Sequence, residues 1–486
     1  MRSIVPALVL LALAACNKAP TALDRLRPCK IDQGPTDAYC GKLAVWENRQ
    51  TKQGRKIDLK IVVLPALRRD PKPDPIFLFA GGPGQGAAKI ADQFGLMFRR
   101  LQNDRDLVMI DQRGTGDSHP LNCEMVEKGQ EKDDLAEPSP GFITERFRKC
   151  LAGYDADPRQ YTTPIAMDDA DEVRRYLGYG PINLWGGSYG TRAALVYLRQ
   201  HESTVRSVIL DGVAPPDMKL PLYMARDSQR SLDLLLAGCE KDPACAAKFP
   251  GLRAMVAKVL ARADTKATIS VVHPRTGQKF AIPLSPEAIR SVIFGTLYIP
   301  SMAALLPRLL ADAAQGDFQG LMALALIGEN SGAAGGMAQG MFLSVVCAED
   351  MPRISNADIE RESAQTFFGK TFFGTRMQAC DFWPKGDIKA DYYQPVVSSK
   401  PVLILSGEAD PVTPPSWGEH IRQHLKNSKH FVVPGAGHGV STLGCVPKLI
   451  TKFLNEASPA GLDGACVSKQ QRPPYFVNAS GPEVKP

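Results

Sequence analysis

The chain has only seven histidines in 486 residues, no Cys-x-x-Cys pair and no His beside a cysteine pair. Structural zinc sites need such spacings, so a metal centre is disfavoured and no cofactor is expected. Runs of Lys and Arg long enough to bind nucleic acid are missing as well. A net charge of +7 over this length describes an ordinary solvated surface, so no nucleic-acid partner is expected. No internal repeat is visible. The apolar stretch at residues 4–15 is interrupted by Pro6 and is too short to span a bilayer, which takes about 20 residues. What remains is a composition of 44% hydrophobic and 22% charged residues, that of a soluble globular protein. A chain this long can hold an α/β core with a large insertion.

The N-terminus and the cysteines point to export. Arg2, the short apolar stretch and small residues before a cut describe a secretory signal over residues 1–15. Leu13-Ala14-Ala15-Cys16 resembles a bacterial lipoprotein cleavage box, with Cys16 as the lipidated residue. An ordinary signal that happens to contain a cysteine is the alternative. Asn17 follows Cys16 where an Asp would favour inner-membrane retention, so a lipid anchor in the outer membrane, facing periplasm or cell surface, is expected. That anchor would be the only membrane contact. The ten other cysteines fall in near pairs: Cys29 and Cys40, Cys123 and Cys150, Cys239 and Cys245, Cys347 and Cys380, Cys445 and Cys466. Spacing does not fix connectivity, but five local bridges formed in an oxidising compartment are the simplest pattern.

Short apolar runs bounded by Gly, Pro or Asp predict eight strands, at residues 42–47, 56–64, 76–80, 107–111, 182–185, 207–211, 402–406 and 430–433. The middle ones are almost wholly apolar, as strands covered on both faces must be. Helical patterns at 168–177, ending before Gly178, and at 189–200 alternate with them. The alternation predicts an α/β domain with a mostly parallel sheet. Between Asp211 and Val402 the pattern changes to helices, such as 231–236, 251–262 and 301–314, with a small hairpin at 268–272 and 279–282. So long a gap is not a loop of a compact domain, and it reads as an inserted helical lid. The polar, Pro-rich tail at 468–486 has little to bury and is expected to be an extended or poorly ordered strap.

Gly186-Gly187-Ser188-Tyr189-Gly190 fits G-x-S-x-G and lies between a predicted strand and a predicted helix. Such a turn is crowded, tolerates little but glycine around the serine, and exposes its hydroxyl. The N–H of Tyr189 is then placed to receive an oxyanion. A serine nucleophile needs a base, and the base an orienting acid. His438 sits among glycines in Gly435-Ala436-Gly437-His438-Gly439, directly after a strand, whereas His424 and His430 are expected on the surface. Asp410 precedes Pro411 after another strand, which biases it towards a turn, and Glu408 is the rival acid. Gly81-Gly82-Pro83-Gly84 follows the third strand and offers a second oxyanion donor, with Gly82 preferred and Gly81 in reserve. The loop Asp111-Gln112-Arg113-Gly114-Thr115-Gly116-Asp117-Ser118 is expected to brace the site from beneath.

The order Ser188, Asp410, His438, each after a separate strand, is that of the α/β-hydrolases. All three then lie at the carboxyl edge of the sheet. GGPG, DQRGTGDS, GGSYG, GEADPVTPP and GAGHG in this order resemble the prolyl and tripeptidyl aminopeptidase group, and the C-terminal region resembles the tripeptidyl-aminopeptidase-like (TAP-like) domain of secreted bacterial members. Prolyl aminopeptidases usually carry His where this chain has Ala80, which puts proline specificity in doubt. The resemblance implies an α/β-hydrolase fold with a mostly parallel eight-stranded sheet and a lid after the sixth strand. The expected layout is core at 25–215, lid at 216–395, and core again at 396–467. The resemblance further implies a serine exopeptidase acting on peptides, with lid carboxylates binding the free amine. Val346-Cys347-Ala348-Glu349-Asp350 matches the segment that supplies one, so Glu349, with Asp350 in reserve, is the expected amine site. An esterase on the same triad is the first rival. A non-catalytic binding protein on this fold is the second.

Overall fold

Runs such as Ile76–Phe79 and Leu107–Ile110 have every side chain buried, so they can only be strands covered on both faces. Alternate residues serve opposite faces: Phe77 and Phe79 join one core, while Ile76 and Leu78 join the other. The computed structural model describes residues 22–31, 37–124, 141–329, 336–369 and 377–482. The expected signal at 1–15 and Cys16 lie outside them.

The main sheet has nine strands, one more than expected. They are β1 (Arg27–Lys30), β2 (Asp37–Trp46), β3 (Lys56–Leu64), β4 (Ile76–Phe79), β5 (Leu107–Ile110), β6 (Ile182–Gly187), β7 (Val205–Asp211), β10 (Val402–Gly407) and β11 (Ser428–Val433). A separate hairpin, β8 (Thr268–Val272) and β9 (Lys279–Pro283), lies in the insertion. The sheet order is β1-β2-β3-β5-β4-β6-β7-β10-β11. From β5 to β11 neighbours run parallel, and β1, β2 and β3 add an antiparallel edge. The extra strand, β1, carries Pro28 and no buried side chain, so it has no hydrophobic signature to read. The Cys29–Cys40 bridge ties it to β2.

Helices Thr163–Leu177 and Tyr189–Gln200 cover one face, and Ala91–Met97 with Val446–Glu456 cover the other. The insertion between β7 and β10 is mainly helical and builds its own core from residues such as Leu232, Val259, Ile289, Leu306 and Leu321. The tail is an extended strap, but it does bury side chains. Tyr475 and Val477 enter the lid core, and the Tyr475 hydroxyl donates to the Leu235 carbonyl at 2.8 Å. The other disulfides pair Cys123 with Cys150, Cys239 with Cys245, Cys347 with Cys380 and Cys445 with Cys466. Among the described residues no helix is long and apolar enough to cross a membrane.

Candidate active site

Ser188 stands between β6 and its helix with φ 57° and ψ −127°, a conformation costly for any residue with a side chain. Its neighbours explain why the turn closes. A Cβ on Gly186 would lie 2.2 Å from the Gly190 carbonyl oxygen, and one on Gly190 would lie 2.1 Å from that of Phe79. Both positions of the G-x-S-x-G pattern are therefore sterically restricted to glycine. The Ser188 N–H donates to the Asp211 carbonyl at 2.9 Å, which fixes the turn to the end of β7.

The loop after β4 lies directly against the serine. A Cβ on Gly81 would be 3.3 Å from Ser188 Cβ and 3.7 Å from its Oγ. Gly82 has φ 109° and no room for a side chain, because its Cβ would meet Gly84 N at 2.6 Å. Tyr189 opens the following helix, where backbone N–H groups have no intrahelical acceptor. The two sequence-predicted oxyanion residues thus lie on separate elements, Tyr189 directly after the serine and Gly82 directly after Gly81, which packs against it.

Asp410 and His438 follow β10 and β11, adjacent parallel strands. His438 Nδ1 lies 2.8 Å from Asp410 Oδ2. The other carboxylate oxygen accepts the N–H groups of Val412 and Thr413 at 2.9 and 2.8 Å. Asp410 is wholly buried, and His438 keeps 15% of its side chain exposed. Burial opposes charge on both groups. The pair outweighs it, so the Asp410 carboxyl is held below its usual range and the His438 imidazole above its own. Glu408, the rival acid, is exposed and instead accepts the Gly435 N–H at 2.8 Å. A Cβ on Gly212 would press on the His438 ring at 3.2 Å, so the residue after Asp211 borders the imidazole.

Three supporting residues escaped sequence reasoning. Thr413 Oγ1 donates to Asp410 Oδ2 at 2.8 Å and lies 3.1 Å from His438 Nδ1. Only its place in the Asp-Pro segment hinted at it. The buried Asp211 carboxylate accepts the N–H groups of Val440 and Ser441 and the Ser441 hydroxyl, pinning the His438 loop to β7. Tyr298, from the lid, packs against His438 with no local signal at all. Sequence reasoning also put His430 on the surface. Its side chain is 1% exposed, held between Glu419 and Ser406.

The loop after β5 braces the site as expected. Arg113 is fully buried and pairs with Asp169 through two nitrogens, at 2.6 and 2.9 Å, while Asp111 accepts the N–H groups of Lys89 and Asp117.

The expected amine site does not survive. Glu349 and Asp350 are both wholly buried beneath the serine turn. Glu349 accepts the Thr163 N–H at 2.7 Å, the Thr163 hydroxyl at 2.9 Å and the Tyr392 hydroxyl. It thereby caps helix Thr163–Leu177, whose first N–H groups lack partners. Asp350 receives Arg192 through two nitrogens at 2.9 and 3.2 Å and the Leu220 N–H at 3.0 Å. Thr163 in turn hydrogen-bonds the Tyr189 hydroxyl at 2.6 Å. Every oxygen has a partner from within and both side chains are closed to solvent, so as the chain is folded the pair is out of a substrate's reach. Among the described residues no group of three or more His, Cys, Asp or Glu is placed to hold a metal ion.

Residues 74–240 match the family described as the alpha/beta hydrolase fold, and residues 365–466 match the one described as TAP-like protein. The serine protease Hip1 of Mycobacterium tuberculosis is 24% identical, over 86% of this chain and 85% of that protein. The tripeptidyl aminopeptidase of Streptomyces lividans is 24% identical, over 94% and 88%. Among solved structures, the proline iminopeptidase of Mycobacterium smegmatis covers 87% of this chain and 100% of its own, at 15% identity and a TM-score of 0.40. With its sheet topology, its serine turn and the match over residues 74–240, the chain has the α/β-hydrolase fold, and its C-terminal region is similar to TAP-like proteins.

Proposed function

We propose that this protein is a serine exopeptidase that removes one or a few residues from the N-termini of peptides. The observation that carries the reading is the acid–base pair, Asp410 to His438 at 2.8 Å, whose histidine loop is tied through Asp211 to the turn that holds Ser188 at φ 57°. Ser188 Oγ attacks the scissile carbonyl and passes its proton to His438 Nε2. Asp410 keeps Nδ1 protonated and steadies the imidazolium. The N–H groups of Tyr189 and Gly82 receive the oxyanion. Collapse of the tetrahedral intermediate breaks the C–N bond, and His438 returns the proton to the departing amine. Water, activated by the same imidazole, then hydrolyses the acyl-enzyme and frees Ser188.

The choice of peptide bonds over esters rests on kinship. Relatives aligned over most of the chain carry the names of a serine protease and a tripeptidyl aminopeptidase. Since Glu349 and Asp350 are sealed, the substrate ammonium is received by other groups. The box around Cys16 supports export with a lipid anchor in the cell envelope, outer membrane favoured. A panel of free-amine peptide amides, their N-acetylated forms and short-chain esters tests the reading. Free-amine peptides should be cut at least tenfold faster than blocked ones. Equal rates would indicate an endopeptidase, and ester cleavage without peptide cleavage an esterase.

A further inference from the structure

The lid reaches the acid–base pair at two points. The backbone N–H of His438 donates to the Tyr298 carbonyl at 2.9 Å, and the Tyr298 ring stands across the imidazole, with centroids 5.1 Å apart and planes at 72°. Gly437 makes the approach possible, since a Cβ there would lie 2.3 Å from the Tyr298 oxygen. At the second point Ser231 Oγ donates to the Ala409 carbonyl at 2.6 Å, on the peptide that leads into Asp410. Ser231 belongs to helix Met224–Lys241, and Tyr298 ends helix Pro286–Leu297. A cavity of about 270 Å³, bordered by Ser231, Leu297, Ala409 and Gly437, lies alongside both contacts. The lid therefore meets these loops beside open space.

The imidazole has to hold one orientation while its charge changes. Asp410 and Thr413 fix its Nδ1 edge. Neither limits tilting of the ring about that edge, and a ring packed across it does. An aromatic ring beside a cation also favours the charged form. We propose that Tyr298 is a positioning residue for His438, with Ser231 as the matching brace on the Asp410 loop, so that the lid is part of the acid–base machinery as well as a cover. This rests on the hydrolase reading above and adds to it a lid residue that acts through the base.

The test compares Tyr298→Leu, which keeps bulk without a ring, with Tyr298→Phe, which keeps the ring. Tyr298→Leu should lower kcat about tenfold with KM within about twofold, as expected when a transition-state interaction is lost. Its acidic limb in the kcat/KM profile should move about half a pH unit lower. Tyr298→Phe should restore both. Ser231→Ala should lower kcat without changing KM. The downfield Nδ1 proton of His438, followed by NMR, reads the same titration without turnover and shows whether each variant is folded. If Tyr298→Leu does not fold, Tyr298→Met is read in its place. Wild-type kcat and titration in a ringless variant would overturn the inference, as would a change confined to KM. Turnover surviving Ser188→Ala would instead remove the hydrolase reading, and the NMR titration would still report on Tyr298 alone.

Discussion

Two buried carboxylate clusters lie close to Ser188, and they differ in one decisive respect. In both, the carboxylates are wholly buried and hydrogen-bonded on each oxygen. Asp410 stays ionised and steadies charge on His438, whose side chain remains 15% exposed and whose second ring nitrogen is free of that pair. Glu349 and Asp350 face Arg192, which is wholly buried, and Asp350 also pairs with Arg353 at 3.3 Å; neither guanidinium can give up its proton. The first cluster has an outlet to the substrate, and the second has none. A carboxylate's chemistry is thus set less by its own burial than by whether its partner can take up and release a proton.

That contrast can be broken experimentally. Ser188→Ala should reduce kcat by about 10⁴-fold or more, leaving only the rate supported by oxyanion donors and binding. A thermal midpoint equal to wild type would show the loss to be chemical. Asp410→Asn should cost about 10⁴ in kcat by spoiling the tautomer. Its pH profile carries the sign. In the wild type the base is free only above a raised histidine pKa, so kcat/KM climbs with pH through a value above the ordinary one. Without Asp410 only burial is left to act strongly, and burial lowers that pKa. The limb should move to lower pH.

Asp350→Ala should act on the fold and spare substrate discrimination. Removing the two-point partner of the buried Arg192 guanidinium, which leaves it only Glu349 at 3.5 Å and the Met218 carbonyl, should cost about 3 kcal/mol of stability, read by denaturant titration. Any loss of kcat/KM should be the same for free-amine peptides and small esters. A loss confined to free-amine peptides would return the amine site to this segment and undo the contrast. The smallest effect is expected of Glu408→Gln. It is exposed and bound to a backbone N–H, so kcat/KM should stay within about twofold. A large loss would make it the working acid.

The proposed catalytic constellation is legible because its signals are local. Ser188, Asp410 and His438 each follow an apolar strand within a few residues of glycine or proline, and a strand end fixes where such residues point. The burial of Glu349 was not legible, because Thr163 is 186 positions away in sequence. Nothing near either residue announces that the N-terminus of one helix will be capped from another. Tyr298 and Asp211 were missed for the same reason, since their roles exist only once the lid and β7 meet the His438 loop. A short strand with a proline and no buried side chain, such as β1, has no apolar run to betray it. His430 looked exposed because polar residues surround it in sequence, yet its ring turns inward to Ser406.

Covalent capture tests the central claim that Ser188 is the nucleophile activated by His438 and Asp410. The purified protein is incubated with an aryl or alkyl fluorophosphonate, and the site of modification is read by peptide mass spectrometry. One adduct should form, on Ser188, with loss of activity in step with labelling. Its rate should fall steeply in the Asp410→Asn variant. Full activity with Ser188 unmodified, or an adduct on another residue that tracks inactivation, would contradict the account.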